Sequence, residues 1–190
     1  MNFEQFEAFT FDCYGTLIDW ESGILAGVRI ILGAHDMDDQ DDNRILERFG
    51  LLEAVAEAGA FRPYRAILEE VASGFGEVYG FATGTEEARR FAGSVSFWPP
   101  FPDSITGLQL LSSRYRLAIV SNVDDDLFSN SAQQLGVIFE QVVTAEQVQS
   151  YKPHPAHFYE VLRRLELSPE RVLHVAQSLY HDVAPAAELG

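Results

Sequence analysis

Asp12 is the first residue in the chain placed for chemistry. In "FDCYGTL" (11–17) it ends an apolar run and precedes a turn at Gly15, where backbone N–H groups can converge on an anion. Lys152 is the one lysine among thirteen basic residues; the other twelve are arginines. A compact ammonium beside a buried carboxylate is a task for lysine rather than arginine. Opposed to Asp12, it would favour the ionised carboxylate. A desolvated, ionised aspartate is a nucleophile that forms an ester intermediate. A capped turn with a buried ion pair would use the same two residues without any reaction.

Other polar residues fall in matching places. Ser121 and Asn122 close "YRLAIVSN" (115–122), and Gln177 closes "RVLHVAQ" (171–177), with Ser178 next and Asp182 just beyond. Lys152 follows "EQVVTA" (140–145). These runs, with "FEAFTFDC" (6–13), are short and almost continuously apolar, as expected of strands covered on both faces of a parallel sheet. Ligands of an open parallel sheet bind outside the carboxyl ends of its strands. Four segments thus deliver polar groups to one edge, although helix N-caps would account for Ser121 and Ser178.

The elements that must position these residues follow from periodicity. "DDDLFSNSAQQLG" (124–136) reads as a helix opened by aspartate and closed by Gly136. "HPAHFYEVLRRLEL" (154–167) reads as another, with Phe158, Val161, Leu162 and Leu165 as its apolar stripe. Strand–helix alternation from 100 to 190 predicts a doubly wound, Rossmann-like α/β unit. Residues 20–98 show no strand pattern. Apolar residues there recur at helical spacing, and Thr85 before Glu86 and Glu87 is a capping signal. About four helices are expected, inserted after the first strand. The division is therefore an α/β core of 1–19 and 99–190 and a helical domain of 20–98. "WPPFPDS" (98–104) is a stiff return linker. The acidic run "HDMDDQDDN" (35–43) is read as a solvated loop, since it lacks the glycine and the terminal glutamate of a calcium loop.

Composition narrows the function classes. The chain has 190 residues and a formal charge of −16. Nucleic acid and anionic membrane surfaces would be repelled, so neither is an expected partner. An anionic substrate would need local cations to reverse that field. Cys13 is the single cysteine, which suits a reducing cytoplasm, and "MNFEQFEAF" lacks the positive start of a signal peptide.

Four motifs in order carry a resemblance: "FDCYGTL" (11–17), "VSNVDDD" (120–126), "YKPHP" (151–155) and "HVAQSLYHDVAPAAELG" (174–190). Together the chain resembles the haloacid dehalogenase superfamily, whose members carry an all-helical cap inserted after the first motif. The resemblance implies Asp12 as nucleophile, Thr16 as support for its loop, Ser121 as an oxygen-contacting hydroxyl, Lys152 as charge partner and Asp182 as a late acid near the site. Phosphatases of the superfamily place a second aspartate where Tyr14 stands and an acid where Gln177 stands. A phenol with a pKa near 10 is a poor acid at neutral pH, and magnesium would lose most of its carboxylate ligands. A halide leaves with neither proton nor metal, and "DxYGT" is the pattern of the 2-haloacid dehalogenase branch. The resemblance therefore implies metal-independent displacement of halide from a short, anionic 2-halo acid, with no cofactor. It also implies a cap arginine facing the substrate, with Arg48 favoured and Arg44 second. Tyr14, Asn122, Gln177 and Ser178 complete the expected substrate contacts.

The chain departs from that branch at Gln177, Leu179 and Phe158, where serine, asparagine and tyrosine are usual. Two other readings stay open: a phosphatase with a rearranged magnesium site using Asp124 and Asp182, and a weakly catalytic binding protein. Relatives usually continue with a further strand and helix after the last motif, so either the fold makes do with fewer strands or further residues follow Gly190, and a partner chain or those residues would cover the sheet edge left open there. A homodimer is compatible with apolar cap helices.

Overall fold

The computed structural model describes residues 3–190; Met1 and Asn2, which begin the expected core segment and N-terminal stretch, lie outside the described residues. Four parallel strands form the sheet: β1 (Ala8–Phe11), β2 (Arg116–Ser121), β3 (Gln141–Thr144) and β4 (Val172–Val175). Their order is β3-β2-β1-β4, so β1 and β2 are central. The register pairs Phe11 with Ile119 and with Val175, and Ser121 with Thr144. Strand ends, and the residues just past them, are thus brought level. The strands are shorter than the apolar runs that signalled them: Ser121 and Thr144 still pair in the ladder, and Asp12, Asn122 and Gln177 stand just past its end.

After β1, and before the linker that returns to the core, lie four helices: α1 (Trp20–Ala34), α2 (Asp42–Glu57), α3 (Tyr64–Tyr79) and α4 (Thr85–Gly93). They form the helical cap. The expected stripes are buried: Ile24, Val28, Ile31 and Leu32 on α1, Ile45 and Phe49 on α2, and Tyr64, Ile67, Leu68 and Val71 on α3. At the same helical spacing, Leu25, Leu46 and Leu52 are half-buried and Val55 is exposed. Helix α4 is capped one residue earlier than the Thr85 signal suggests: the Gly84 N–H donates to Glu87 Oε2 at 3.1 Å. The two crossings between cap and core run side by side, with Asp19 N donating to Pro99 O at 2.8 Å and Phe101 N to Leu17 O at 3.0 Å. Packing at this joint is close. A Cβ on Gly23 would lie 2.2 Å from Trp98 Cγ, so only glycine lets the indole lie flat against α1.

The remaining helices cover the sheet: α5 (Ser104–Ser112), α6 (Asp125–Leu135), α7 (Ala145–Val148), α8 (Ala156–Leu165) and α9 (Ala184–Leu189). Gly136 ends α6 in the left-handed conformation, at φ +67°. Phe158, Val161 and Leu165 of α8 pack with Ala8, Ala118, Val120 and Val143 of the sheet. Asp124 departs from its expected role. It precedes α6 but does not cap it; its carboxylate accepts from Tyr64 N at 2.7 Å and Arg65 N at 2.8 Å. It thereby satisfies the open amides at the start of α3, which Pro63 cannot cap, and ties cap to core. No helix among the described residues is long and apolar enough to cross a membrane.

Candidate active site

Asp12 stands one residue past β1, and its N–H donates to Val175 O at 3.1 Å, so the sheet ladder fixes its backbone. The chain then turns at once. Gly15 sits at φ +91°, and a Cβ there would lie 2.9 Å from Trp20 Nε1. Both facts demand glycine. Leu17 N and Ile18 N fold back onto Cys13 O at 2.8 and 3.0 Å. The turn brings Thr16 round to its neighbour: Thr16 Oγ1 donates to Asp12 Oδ2 at 2.8 Å and accepts from Gln177 N at 3.0 Å. One hydroxyl thus joins the first motif to the last.

Lys152 reaches the same carboxylate from the far side. Its Nζ donates to Asp12 Oδ1 at 2.9 Å, to Asp182 Oδ1 at 2.5 Å and to Val120 O at 2.9 Å. All three donor positions are used. Its side chain is 2% exposed. Burial alone would pull the Lys152 ammonium down, but Asp12 and Asp182 outweigh it and hold the pKa above its ordinary value. Burial likewise pushes Asp182 up, and His174 together with Lys152 overcomes this and holds it below its ordinary value. His174 Nε2 lies 3.1 Å from Asp182 Oδ1, and its Nδ1 lies 2.9 Å from Thr10 Oγ1 on β1. Asn122 fixes the lysine's backbone through two bonds, Lys152 N to Asn122 Oδ1 at 2.7 Å and Asn122 Nδ2 to Lys152 O at 3.2 Å. Asn122 therefore positions Lys152, although it also borders the pocket.

Ser121 is 1% exposed, and its Oγ has no hydrogen-bond partner. It lines the pocket beside Asp12. Ser178 caps the following turn, accepting from His181 N at 3.1 Å, which is the local role foreseen for it. Gln177 is exposed at the rim. Tyr14 packs edge-on against Trp98, with ring centroids 5.8 Å apart, and its OH lies 3.0 Å from Ser131 Oγ. Burial pushes its phenol well above the ordinary value, so it stays protonated and serves as wall rather than acid.

Magnesium, used by phosphatases of this superfamily, fits this donor set poorly. Lys152 Nζ already bridges the Asp12 and Asp182 carboxylates. Asp124 is engaged by α3, and Tyr14 and Gln177 stand where acids would be needed. No group of three or more acidic, His or Cys ligands suited to a metal occurs among the described residues.

The cap contributes a different set from the one expected. Arg48 and Arg44 are exposed and line a separate hollow with Gln40, Glu47 and Tyr79. The side chains that face Asp12 across a cavity of about 310 Å³ include Trp20, Trp98, Tyr64, Glu53 and Glu57. The reason lies in helix phase. Ile45, Phe49 and Ala56 mark the buried face of α2. Glu53 is one turn beyond Phe49, and Glu57 one turn beyond Glu53, whereas Arg48 sits about 100° away from Phe49. An acid at a position continuing an apolar stripe was the available signal. His181 also borders the cavity; burial, then Lys152, pulls its pKa below the ordinary value.

Burial pushes the Glu53 carboxyl up to about 7, partly offset by the Tyr64 OH donating at 2.6 Å. Burial, with Glu53 nearby, pushes Glu57 up to about 8. A carboxyl whose folded pKa exceeds its unfolded value of about 4.3 contributes stability that is complete below that value and lost as pH rises through the folded pKa. His157, held down to about 3 by burial, acts oppositely and only below its unfolded value of about 6.5. Stability should therefore fall between about pH 6.5 and 8.5, by about 1–2 kcal/mol once the pocket's contact with water is allowed for. Urea midpoints measured across this range should flatten in the Glu53→Gln/Glu57→Gln double variant.

Comparison with known proteins places this geometry. A model of haloacid dehalogenase-like hydrolases matches residues 6–190. An (S)-2-haloacid dehalogenase of Pseudomonas sp. (strain CBS-3) is 23% identical over 187 residues, covering 96% of this chain and 81% of the relative. A glyceraldehyde 3-phosphate phosphatase of Methanothermobacter thermautotrophicus is 34% identical over 94 residues, which is 48% of this chain and less than half, 42%, of the relative. The L-2-haloacid dehalogenase of Xanthobacter autotrophicus, solved with chloropropionic acid covalently bound, superposes with a TM-score of 0.83 at 22% identity, covering 97% of this chain and 75% of that one. The family model spans both the Asp12 turn and the last motif, and with it the chain belongs to the haloacid dehalogenase-like hydrolases.

Proposed function

We propose that this hydrolase breaks a carbon–halogen bond in a short substrate through an ester on Asp12, without a metal. In the first step an Asp12 oxygen bonds to the carbon, and the halide leaves with the electron pair of the old bond. Water then adds to the ester carbonyl, the alcohol departs and the carboxylate returns. The proton lost by that water needs a base. Asp182 borders the pocket but is bound to Lys152 and His174. His181, uncharged at neutral pH and beside the cavity, is the better placed acceptor. Lys152 holds charge in place throughout, so the nucleophile regenerates without rearrangement.

The observation that carries this reading is the Lys152 bridge between Asp12 and Asp182, together with a Tyr14 phenol turned toward Ser131. It supplies a nucleophile with neither a leaving-group acid beside it nor a metal cradle, which suits a leaving group that needs no proton. Relatives named for 2-halo acids support the same chemistry and make 2-chloropropionate the reference compound. The test is halide release from L- and D-2-chloropropionate and from 3-chloropropylammonium, with EDTA present. Release unaffected by EDTA is expected from at least one of them. Magnesium-dependent hydrolysis of a generic phosphate ester, with no halide released from any of the three, would replace this reading by a phosphatase.

A further inference from the structure

The pocket's charge does not suit the acid head of a halo acid. Glu53 and Glu57 lie one turn apart on α2 and line the cavity together with Asp12 and Asp182. Among the described residues no arginine borders that cavity, and its single lysine has every donor position taken by Asp12, Asp182 and Val120. A carboxylate entering here would meet two aspartates that share one ammonium, two glutamates and no free cationic side chain, in a chain whose formal charge is −16. The walls point the other way. Trp20, Trp98 and Tyr64 border the same space, and aromatic rings attract cations.

A second observation shows that the space is built for a ligand. The buried, unpartnered Ser121 Oγ borders the cavity and is one hydrogen bond short. Glu57 likewise has no hydrogen-bond partner among the described residues, whereas Glu53 is held by Tyr64. We propose that the cap face of this pocket binds an alkylammonium group of the substrate, with Glu53 and Glu57 as counter-ions and Trp20, Trp98 and Tyr64 as aromatic walls. The proposal rests on displacement at carbon by Asp12 and replaces the carboxylate head of a halo acid with an ammonium. Burial opposes ionisation of both glutamates in the ligand-free pocket, and at Glu57 the neighbouring Glu53 adds to it. A cation between them offsets that opposition by favouring the charged carboxylates.

The test compares n-propylammonium with propionate by calorimetric titration at pH 8 into the wild type, Glu57→Gln and Glu53→Gln/Glu57→Gln. Glutamine keeps the size and neutrality of a protonated glutamate, and circular dichroism checks that each variant is folded. The wild type should bind propylammonium at least about tenfold more tightly than propionate, and the double variant should lose about tenfold or more of that affinity, with Glu57→Gln between. Tighter binding of propionate, ammonium affinity unchanged in both variants, or no ammonium heat up to about 50 mM would overturn the proposal. Ester formation on Asp12, read by mass spectrometry with 3-chloropropylammonium and 3-chloropropionate, separates the two readings. An ester from the propionate alone overturns the ammonium site and leaves the displacement. Ammonium binding with an ester from neither compound overturns the displacement and leaves the site.

Discussion

Asp12→Asn is expected to lower turnover by at least about 10³-fold and to abolish any covalent adduct, while the protein stays folded. An amide nitrogen or oxygen at this position carries no negative charge to direct at carbon. The fold should survive, because Lys152 Nζ keeps Asp182 Oδ1 at 2.5 Å and Val120 O at 2.9 Å, and the Thr16 hydroxyl can still donate to an amide oxygen. A loss in kcat with a nearly unchanged urea midpoint would separate a chemical role from a structural one. Residual turnover above about a tenth of the wild-type value would mean that Asp12 is not the nucleophile.

Lys152→Met should have the largest effect on stability. It leaves the Asp12 and Asp182 carboxylates, both buried, without the cation between them. Breaking a buried pair in this way costs about 3–5 kcal/mol. The cost should shrink toward acid pH. Without the ammonium, at least one of the two carboxyls takes a folded pKa above its unfolded value, so its destabilising charge is absent below that value and grows as pH rises through the new one. Adding Asp182→Asn to Lys152→Met should recover part of the loss, since it removes one uncompensated charge. Urea denaturation of the single and double variants at pH 5 and pH 8 measures each step. A single variant as stable as the wild type at pH 8 would mean that the ion pairs do not hold this end of the sheet together.

The core was readable in the sequence because its signals are local and repeated. Each strand is an apolar run too short for a helix, with polar residues at or just past its end. The parallel register then brings the residues beyond Phe11, Ser121 and Val175 to one edge. Lys152 reaches that edge from a loop, and its solitary use among arginines was the only local hint of its place. The helical cap was readable from its stripes for the same reason. Its contribution to the pocket was not. Arg48 was drawn from resemblance, whereas the phase of α2 turns it to solvent and turns Glu53 and Glu57 inward. Asp124 shows the same limit from another side. Its position before α6 fits a local cap, yet tertiary contact gives its carboxylate to the start of α3, sixty residues earlier in the chain. The Thr10–His174–Asp182 series was hidden because Thr10 and His174 lie on separate strands that meet only through pairing, and Asp182 lies in the turn beyond β4.

Single-turnover hydrolysis in ¹⁸O-labelled water, with enzyme in excess over whichever short organohalide releases halide and with EDTA present, tests the central claim most directly. Attack by Asp12 on carbon, followed by water at the ester carbonyl, places the label in the Asp12 peptide and leaves the first-turnover alcohol unlabelled. Label in the alcohol with none on Asp12 would mean that water attacks carbon directly, and the aspartyl-ester account would be wrong.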